Sequence, residues 1–248
     1  RAIAADPGHA PSRYHRGRVL VRRYFESLFV WSALGTKERE PLLKQAREDL
    51  EKADGGRDVE LLECYRLLAS GKSAEVARRV AERLRLGGRV EEFYFLAGVL
   101  QYQSKDYRAA VGHFTSALRL HPRHLYSYFH RALTHASLNE VEQALGDLSS
   151  ALEVNPSFAL ALYMRAVCRG KGGDFGGTVA DASGAIDLGL RTPEVYAIRG
   201  TAYGRLGDYD ASVQDLAKAL EMADADWPMR AQIQKVHDAG LSLRKRKE

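Results

Sequence analysis

The sequence predicts an all-α fold, an α-solenoid of antiparallel helix pairs with irregular N-terminal units and a C-terminal capping helix. Three observations predict it. Landmark residues recur every 34 positions, each period carries small residues at two set places, and the periods are punctuated by glycine turns and prolines. A fixed period of this length is the signature of a repeat array rather than of an ordinary globular core.

The regular part runs from 91 to about 226. In its first unit Tyr94, Gly98, Tyr107, Ala110, Phe114, Ala117 and Pro122 stand where the second has Tyr128, Ala132, Val141, Ala144, Leu148, Ala151 and Pro156. Leu162, Ala166, Gly173, Phe175, Ala182 and Ala185 mark the third unit, and Tyr196, Gly200, Gly207, Tyr209, Leu216 and Ala219 the fourth. Each unit reads as two short helices, apolar at helical spacing, joined by a turn such as GKGGDF or GRLGDY. Gly98, Ala132, Ala166 and Gly200 let the first helix of each pair approach the second closely, and Ala117, Ala151, Ala185 and Ala219 do the same from the second helix. Pro122 and Pro156 end the second helices, because proline lacks the amide hydrogen and drives its predecessor out of the helical region. A lone pair cannot bury its apolar face, so the pairs must stack.

These residues resemble the tetratricopeptide repeat family, with an arginine (Arg131, Arg165, Arg199) just before the small residue in three of the four copies. The resemblance implies a right-handed superhelix whose concave groove is lined by the first helices. Upstream, 1–9 reads as the tail of a preceding repeat, so the array is expected to have been longer. Residues 10–54 read as an expanded repeat-like unit, with Tyr14, Arg16 and Gly17 mirroring Tyr163, Arg165 and Ala166, and with Ala46, Leu50 and Ala53 on its second helix. A short helix pair over 55–90 bridges to the regular units. Residues 227–248 form a capping helix and a basic tail, in which Met229, Ile233, Val236 and Leu241 are expected to cover the last repeat. Arg244, Lys245, Arg246 and Lys247 suit a solvated tail at the negative end of a helix dipole.

Function in such a fold lies on surfaces. The resemblance places Phe95, Val99 and Tyr102, then Tyr126, Phe129, His130 and Leu133, then Leu160, Tyr163, Met164 and Val167 in the groove, with Glu194, Ile198 and Arg205 at the last repeat. This lining is apolar and aromatic, suited to burying the side chains of a partner peptide or helix. The alternative is that several of these residues pack against an adjacent helix, or against the N-terminal part folded back. Chaperone-binding members of the family hold a C-terminal carboxylate with Lys, Arg and Asn. Phe95, Val99, His130, Leu160 and Met164 occupy those places here and cannot offset the desolvation of a carboxylate, so a heat-shock chaperone tail is not the expected ligand.

Other motifs carry less. SGKS at 70–73 imitates the end of a phosphate loop, but Arg66 stands where that loop needs glycine, and the segment before it reads as helix. His121, His124, His130 and His135 do not converge on one face, so no metal or other cofactor is expected. No Ser/His/Asp set or paired acids stand out, and an enzyme is not expected. Cys64 and Cys168 lie in helical segments and suit buried free thiols in a reducing compartment, which points to the cytoplasm. No apolar run approaches the roughly 18 residues of a membrane helix.

The expected function is a protein-interaction scaffold, in the manner of the repeat modules that bacterial signalling proteins carry beside a catalytic domain. The alternative is an RNA-binding helical array, motivated by a net charge of +5. Nucleic acid is disfavoured, because Arg13, Arg16, Arg18, Arg22 and Arg23 concentrate near the N-terminus, away from an apolar groove that lacks a repeated polar pair for reading bases.

Overall fold

A computed structural model describes residues 36–52, 56–87 and 90–245. These form twelve α-helices and no strand. They are α1 (Thr36–Lys52), α2 (Gly56–Ala69), α3 (Ser73–Arg85), α4 (Glu91–Gln103), α5 (Tyr107–Leu120), α6 (Leu125–Ser137), α7 (Val141–Val154), α8 (Ala159–Gly172), α9 (Phe175–Asp187), α10 (Pro193–Leu206), α11 (Tyr209–Met222) and α12 (Arg230–Arg244). The expected helix over 10–34, the preceding-repeat tail over 1–9 and the basic residues 246–248 lie outside the described residues. No described helix is long and apolar enough to cross a membrane. The chain divides into two compact units, Arg1–Leu100 and Gln101–Glu248.

Local chemistry explains the helix boundaries. Asp106, Asp174 and Asp208 each cap a second helix by accepting a hydrogen bond from the amide three residues on, at 3.1, 2.8 and 3.1 Å. His121 and Asn155, the residues before Pro122 and Pro156, are extended, and α5 and α7 stop just ahead of them. Left-handed residues fall at Gly71, Lys105, Asn139, Gly173 and Gly207, each 34 after the one before. Gly71 lies in the SGKS segment, which is a turn between α2 and α3, and it carries the period one step upstream of the regular units.

In the first unit α1 packs on α2 and α2 on α3. Its interior includes Ala46, Leu61, Leu62, Cys64, Leu67, Val76 and Val80. Arg83 pairs with Glu60 and places its guanidinium over Phe93.

In the second unit successive helices pack in chain order from α5 to α12. The first helices also touch one another, α6 with α8, α8 with α10, and α10 with α12. No two of α5, α7, α9 and α11 come comparably close. A stack held closer on one side curves toward that side, so the first helices of this unit line its inner face. Two of its hydrophobic clusters lie at successive places toward the C-terminal end. One gathers Ala166, Ala182, Ala185, Ile186 and Val195, and the next Ala197, Leu216, Ala219 and Ile233. Ile233 and Val236 of α12 close the second core as expected of a cap, and Trp227 joins it by donating its indole N–H to Glu194 at 2.9 Å. Met229 differs: at 39% exposure it covers little of the last repeat.

A polar ladder ties the repeats together. Arg131 donates two hydrogen bonds to Asp147 at 2.8 and 2.6 Å and a third to Thr115 at 2.9 Å. Arg165 repeats this with Asp181 and Ser149, and Arg199 with Asp215 and Ser183. Each arginine thus joins its own helix pair to the second helix of the preceding pair. The three carboxylates are buried, and a buried charge is tolerated only when paired and hydrogen-bonded. Hydrogen bonds from Arg165 to Asp181 and from Arg199 to Asp215 raise the pKa of both guanidiniums. One period beyond Arg199 stands Ile233, so the ladder ends where the cap begins.

Candidate functional site

The inner face of the second unit is built from α6, α8 and α10, and the residues expected in a groove fall into distinct layers there. Tyr126, Phe129 and His130 of α6 are buried. Their cover comes from the next repeat and the preceding second helix. Phe158, just before α8, sits 5.0 Å from the Phe129 ring and 6.1 Å, edge-on, from Tyr126, while the His130 ring lies 6.0 Å from Phe114. These aromatic residues knit the stack rather than present open ring faces. Burial pushes the His130 imidazole down to about 4 and keeps it neutral.

Above that layer Leu133, Tyr163, Met164 and Val167 are half-buried, as are Leu160 on α8 and Ile198 on α10. Tyr163 and Ile198 rest one side against the Ala166–Val195 core. Desolvation raises the pKa of the Tyr163 hydroxyl, so it remains a neutral phenol. Tyr102 is half-buried, its ring 5.5 Å from Tyr107 and its hydroxyl 3.4 Å from the Ser137 hydroxyl. Phe95 and Val99 belong to the first unit, where both are buried.

The rim of the inner face is polar. Lys171 and Arg205, 34 residues apart, are exposed at the C-terminal ends of α8 and α10. The Arg205 guanidinium lies 4.7 Å from the centre of the Phe175 ring, a cation–π contact that fixes its position while leaving its N–H edges free. Glu194, at the opposite end of α10, is engaged by the Trp227 indole.

His121 and His124 have rings 5.8 Å apart at the α5–α6 turn, whereas His135 bonds Glu140 at 2.7 Å. Among the described residues no three His, Cys, Asp or Glu side chains are grouped to hold a metal ion. Cys64 and Cys168 are buried free thiols.

The sequence reading overlooked Phe158 and the acidic and hydroxyl partners of the arginine ladder. The ladder had a signal: Asp147, Asp181 and Asp215 each follow an arginine by 16, and Thr115, Ser149 and Ser183 each precede one by 16. Phe158 had none, because His124 and Thr192 occupy its place in the adjacent repeats.

Residues 193–226, the fourth unit, match the model of the tetratricopeptide repeat. No curated protein matches the sequence. Among solved structures, PilF of Pseudomonas aeruginosa aligns with a TM-score of 0.67 at 13% identity, covering 90% of this chain and 99% of that one. MamA from Desulfovibrio magneticus RS-1 gives 0.60 at 20% identity over 66% of this chain and 93% of its own. YrrB, a tetratricopeptide-repeat protein with an unusual peptide-binding site, gives 0.59 at 17% identity over 80% of this chain and 96% of its own. Identities this low speak for the fold alone. The chain thus carries a tetratricopeptide repeat at 193–226, within helix pairs arranged as in these repeat arrays.

Proposed function

We propose that the protein is an interaction scaffold that holds a partner peptide or helix against the inner face of its second unit. One observation carries this reading: Leu133, Tyr163, Met164, Val167 and Ile198 leave part of their apolar surface open on three helices that touch in sequence. A half-buried Tyr offers a large contact area at low conformational-entropy cost, and a half-buried Met adapts its shape to an apolar partner. Tyr126, Phe129 and His130 act as the support beneath them. The scaffold works by binding, not by catalysis. The two buried thiols support a cytoplasmic setting. RNA binding gains little support from the inner face, since Tyr126 and Phe129 are covered by Phe158, which leaves Tyr163 as a half-open ring there.

The test is capture from a native lysate by the intact chain and by a Tyr163→Ala, Met164→Ala variant, after circular dichroism has established that the variant is folded. Phe129 is left in place, because truncating a buried phenylalanine costs about 3–5 kcal/mol and would confuse unfolding with lost binding. Peptide or protein partners retained by the intact chain and lost by the variant support the reading. Identical captures refute it, and recovery of RNA in place of protein would favour a nucleic-acid role.

A further inference from the structure

His135, Arg169 and Tyr203 stand 34 apart, near the C-terminal ends of α6, α8 and α10. In the third repeat Arg169 reaches across to α9, pairing with Asp181 at 3.0 Å and with Asp174, the cap of α9, at 3.6 Å. A guanidinium is always charged, so that clasp is permanent. In the fourth repeat Tyr203 lies beside Arg199 instead, its ring 6.0 Å from the guanidinium. In the second repeat His135 meets the carboxylates equivalent to those of Arg169. Its Nδ1 lies 2.7 Å from Glu140, the residue before α7, and its Nε2 lies 3.9 Å from Asp147 on α7. The hydrogen bond with His135 is the main reason the Glu140 carboxyl is held below the usual carboxylate range, and the charge of Arg108 adds to it. Glu140 therefore stays ionised and Nδ1 is the donor. The gap at Nε2 is too long for a hydrogen bond but within reach of an ion pair. The His135 and Asp147 side chains are 13% and 9% exposed, so water screens this contact little. Arg131 of α6 bonds both oxygens of Asp147, while Arg108 of α5, mostly in water, pairs with Glu140 at 2.8 Å. Among the described residues these four are the charged groups paired around His135, and α8 contributes none.

We propose that His135 is a proton-operated clasp on the second repeat, closed across α6 and α7 when its ring is charged and loosened when the ring is neutral. A neutral ring that donates from Nδ1 to Glu140 turns the lone pair of Nε2 toward the Asp147 carboxylate. A second proton, on Nε2, replaces that opposition with attraction to the same carboxylate. Histidine is the side chain that changes charge between about pH 5 and 8. The extra contact is therefore present toward the acidic end of that range and lost as pH rises. His130, buried and held neutral, acts in the opposite sense on the same helix. The third repeat, clasped by Arg169, lacks the dependence.

The experiment is native-state hydrogen exchange between about pH 5 and 8, corrected for the intrinsic pH dependence of amide exchange. Peptides from 125–154 report the α6–α7 pair, and peptides from 159–187 report α8–α9 in the same chain. In the intact chain the opening constant of α6–α7 should rise about threefold relative to α8–α9 as pH increases across that range. His135→Gln keeps a donor for Glu140 but takes up no proton, and should lose the rise. His135→Arg should hold the pair closed at both ends of the range. Glu140→Gln lets the neutral ring donate from Nε2 to Asp147 instead, and should shrink the rise. His130 is unchanged in every variant, so its contribution cancels in the differences. Circular dichroism establishes that each variant folds, and His135→Gln decides the matter even if His135→Arg does not. The imidazole nitrogen shifts of His135 should change over the same pH interval as the exchange. An α6–α7 opening that does not move relative to α8–α9, or a rise that persists in His135→Gln, would overturn the inference.

Discussion

Removing one arginine of the ladder should cost more at Arg199 than at Arg165, and the difference follows from who remains beside the carboxylate. Asp215 is 7% exposed, and Arg199 engages its two oxygens at 2.7 and 2.9 Å. Arg199→Met keeps most of the side-chain volume but leaves that carboxylate buried without its partner. Breaking a buried pair in this way costs about 3–5 kcal/mol, and the partial exposure of the arginine argues for the lower end, about 3 kcal/mol. For a chain of this size that lowers Tm by roughly 6–12 °C. At Asp181 the loss is softened, because Arg169 still reaches the carboxylate at 3.0 Å after Arg165→Met. The expected cost there is about 1–2 kcal/mol. Replacing both partners, Arg199→Met with Asp215→Leu, should recover most of the loss, since an apolar pair of similar volume carries no stranded charge. Urea denaturation followed by circular dichroism at 222 nm reads all three variants. The reasoning is refuted if Arg165→Met proves as damaging as Arg199→Met, or if the double variant is less stable than the single.

Other outcomes follow from the same structure. Gly200→Ala should destabilise by about 1–3 kcal/mol, because the new Cβ would lie 2.9 Å from Asp215 Cβ and 3.1 Å from the Ser212 carbonyl oxygen. Gly112→Ala, in a helix with nothing within 4 Å, should stabilise by about 0.5–1 kcal/mol, and thermal melts distinguish the signs. His130 falls from 6.5 to about 4 on burial, so the unfolded chain takes up its proton first. Its stabilising contribution is complete above about pH 6.5 and declines as pH drops toward 4, with a slope of at most about 1.4 kcal/mol per pH unit. His130→Phe should remove that component from the pH dependence of the urea midpoint. Burial lifts the Cys64 thiol to about 11, so it should resist iodoacetamide at pH 8 in the native protein and react once urea unfolds the chain.

The helix pairs were legible because the period is written in residues whose roles are local. Pro122 and Pro156, the small residues Ala132 and Ala166, and the glycines at 173 and 207 report turns and close approaches without reference to distant contacts. The candidate site was legible only in part. The family resemblance assigned Tyr126, Phe129, Tyr163 and Met164 alike to the groove, yet the first two are buried and the last two half-open.

By itself the sequence determined that the chain is an all-α array of stacked helix pairs. Only the tertiary structure decided which of the expected groove residues are buried, that Asp147, Asp181 and Asp215 neutralise the repeated arginines, and that Arg205 stacks on Phe175. The physical reason is that periodicity orients a side chain relative to its own helix. Whether that side chain meets water, a ring such as Phe158, or a carboxylate 16 residues away depends on how the next pair is stacked.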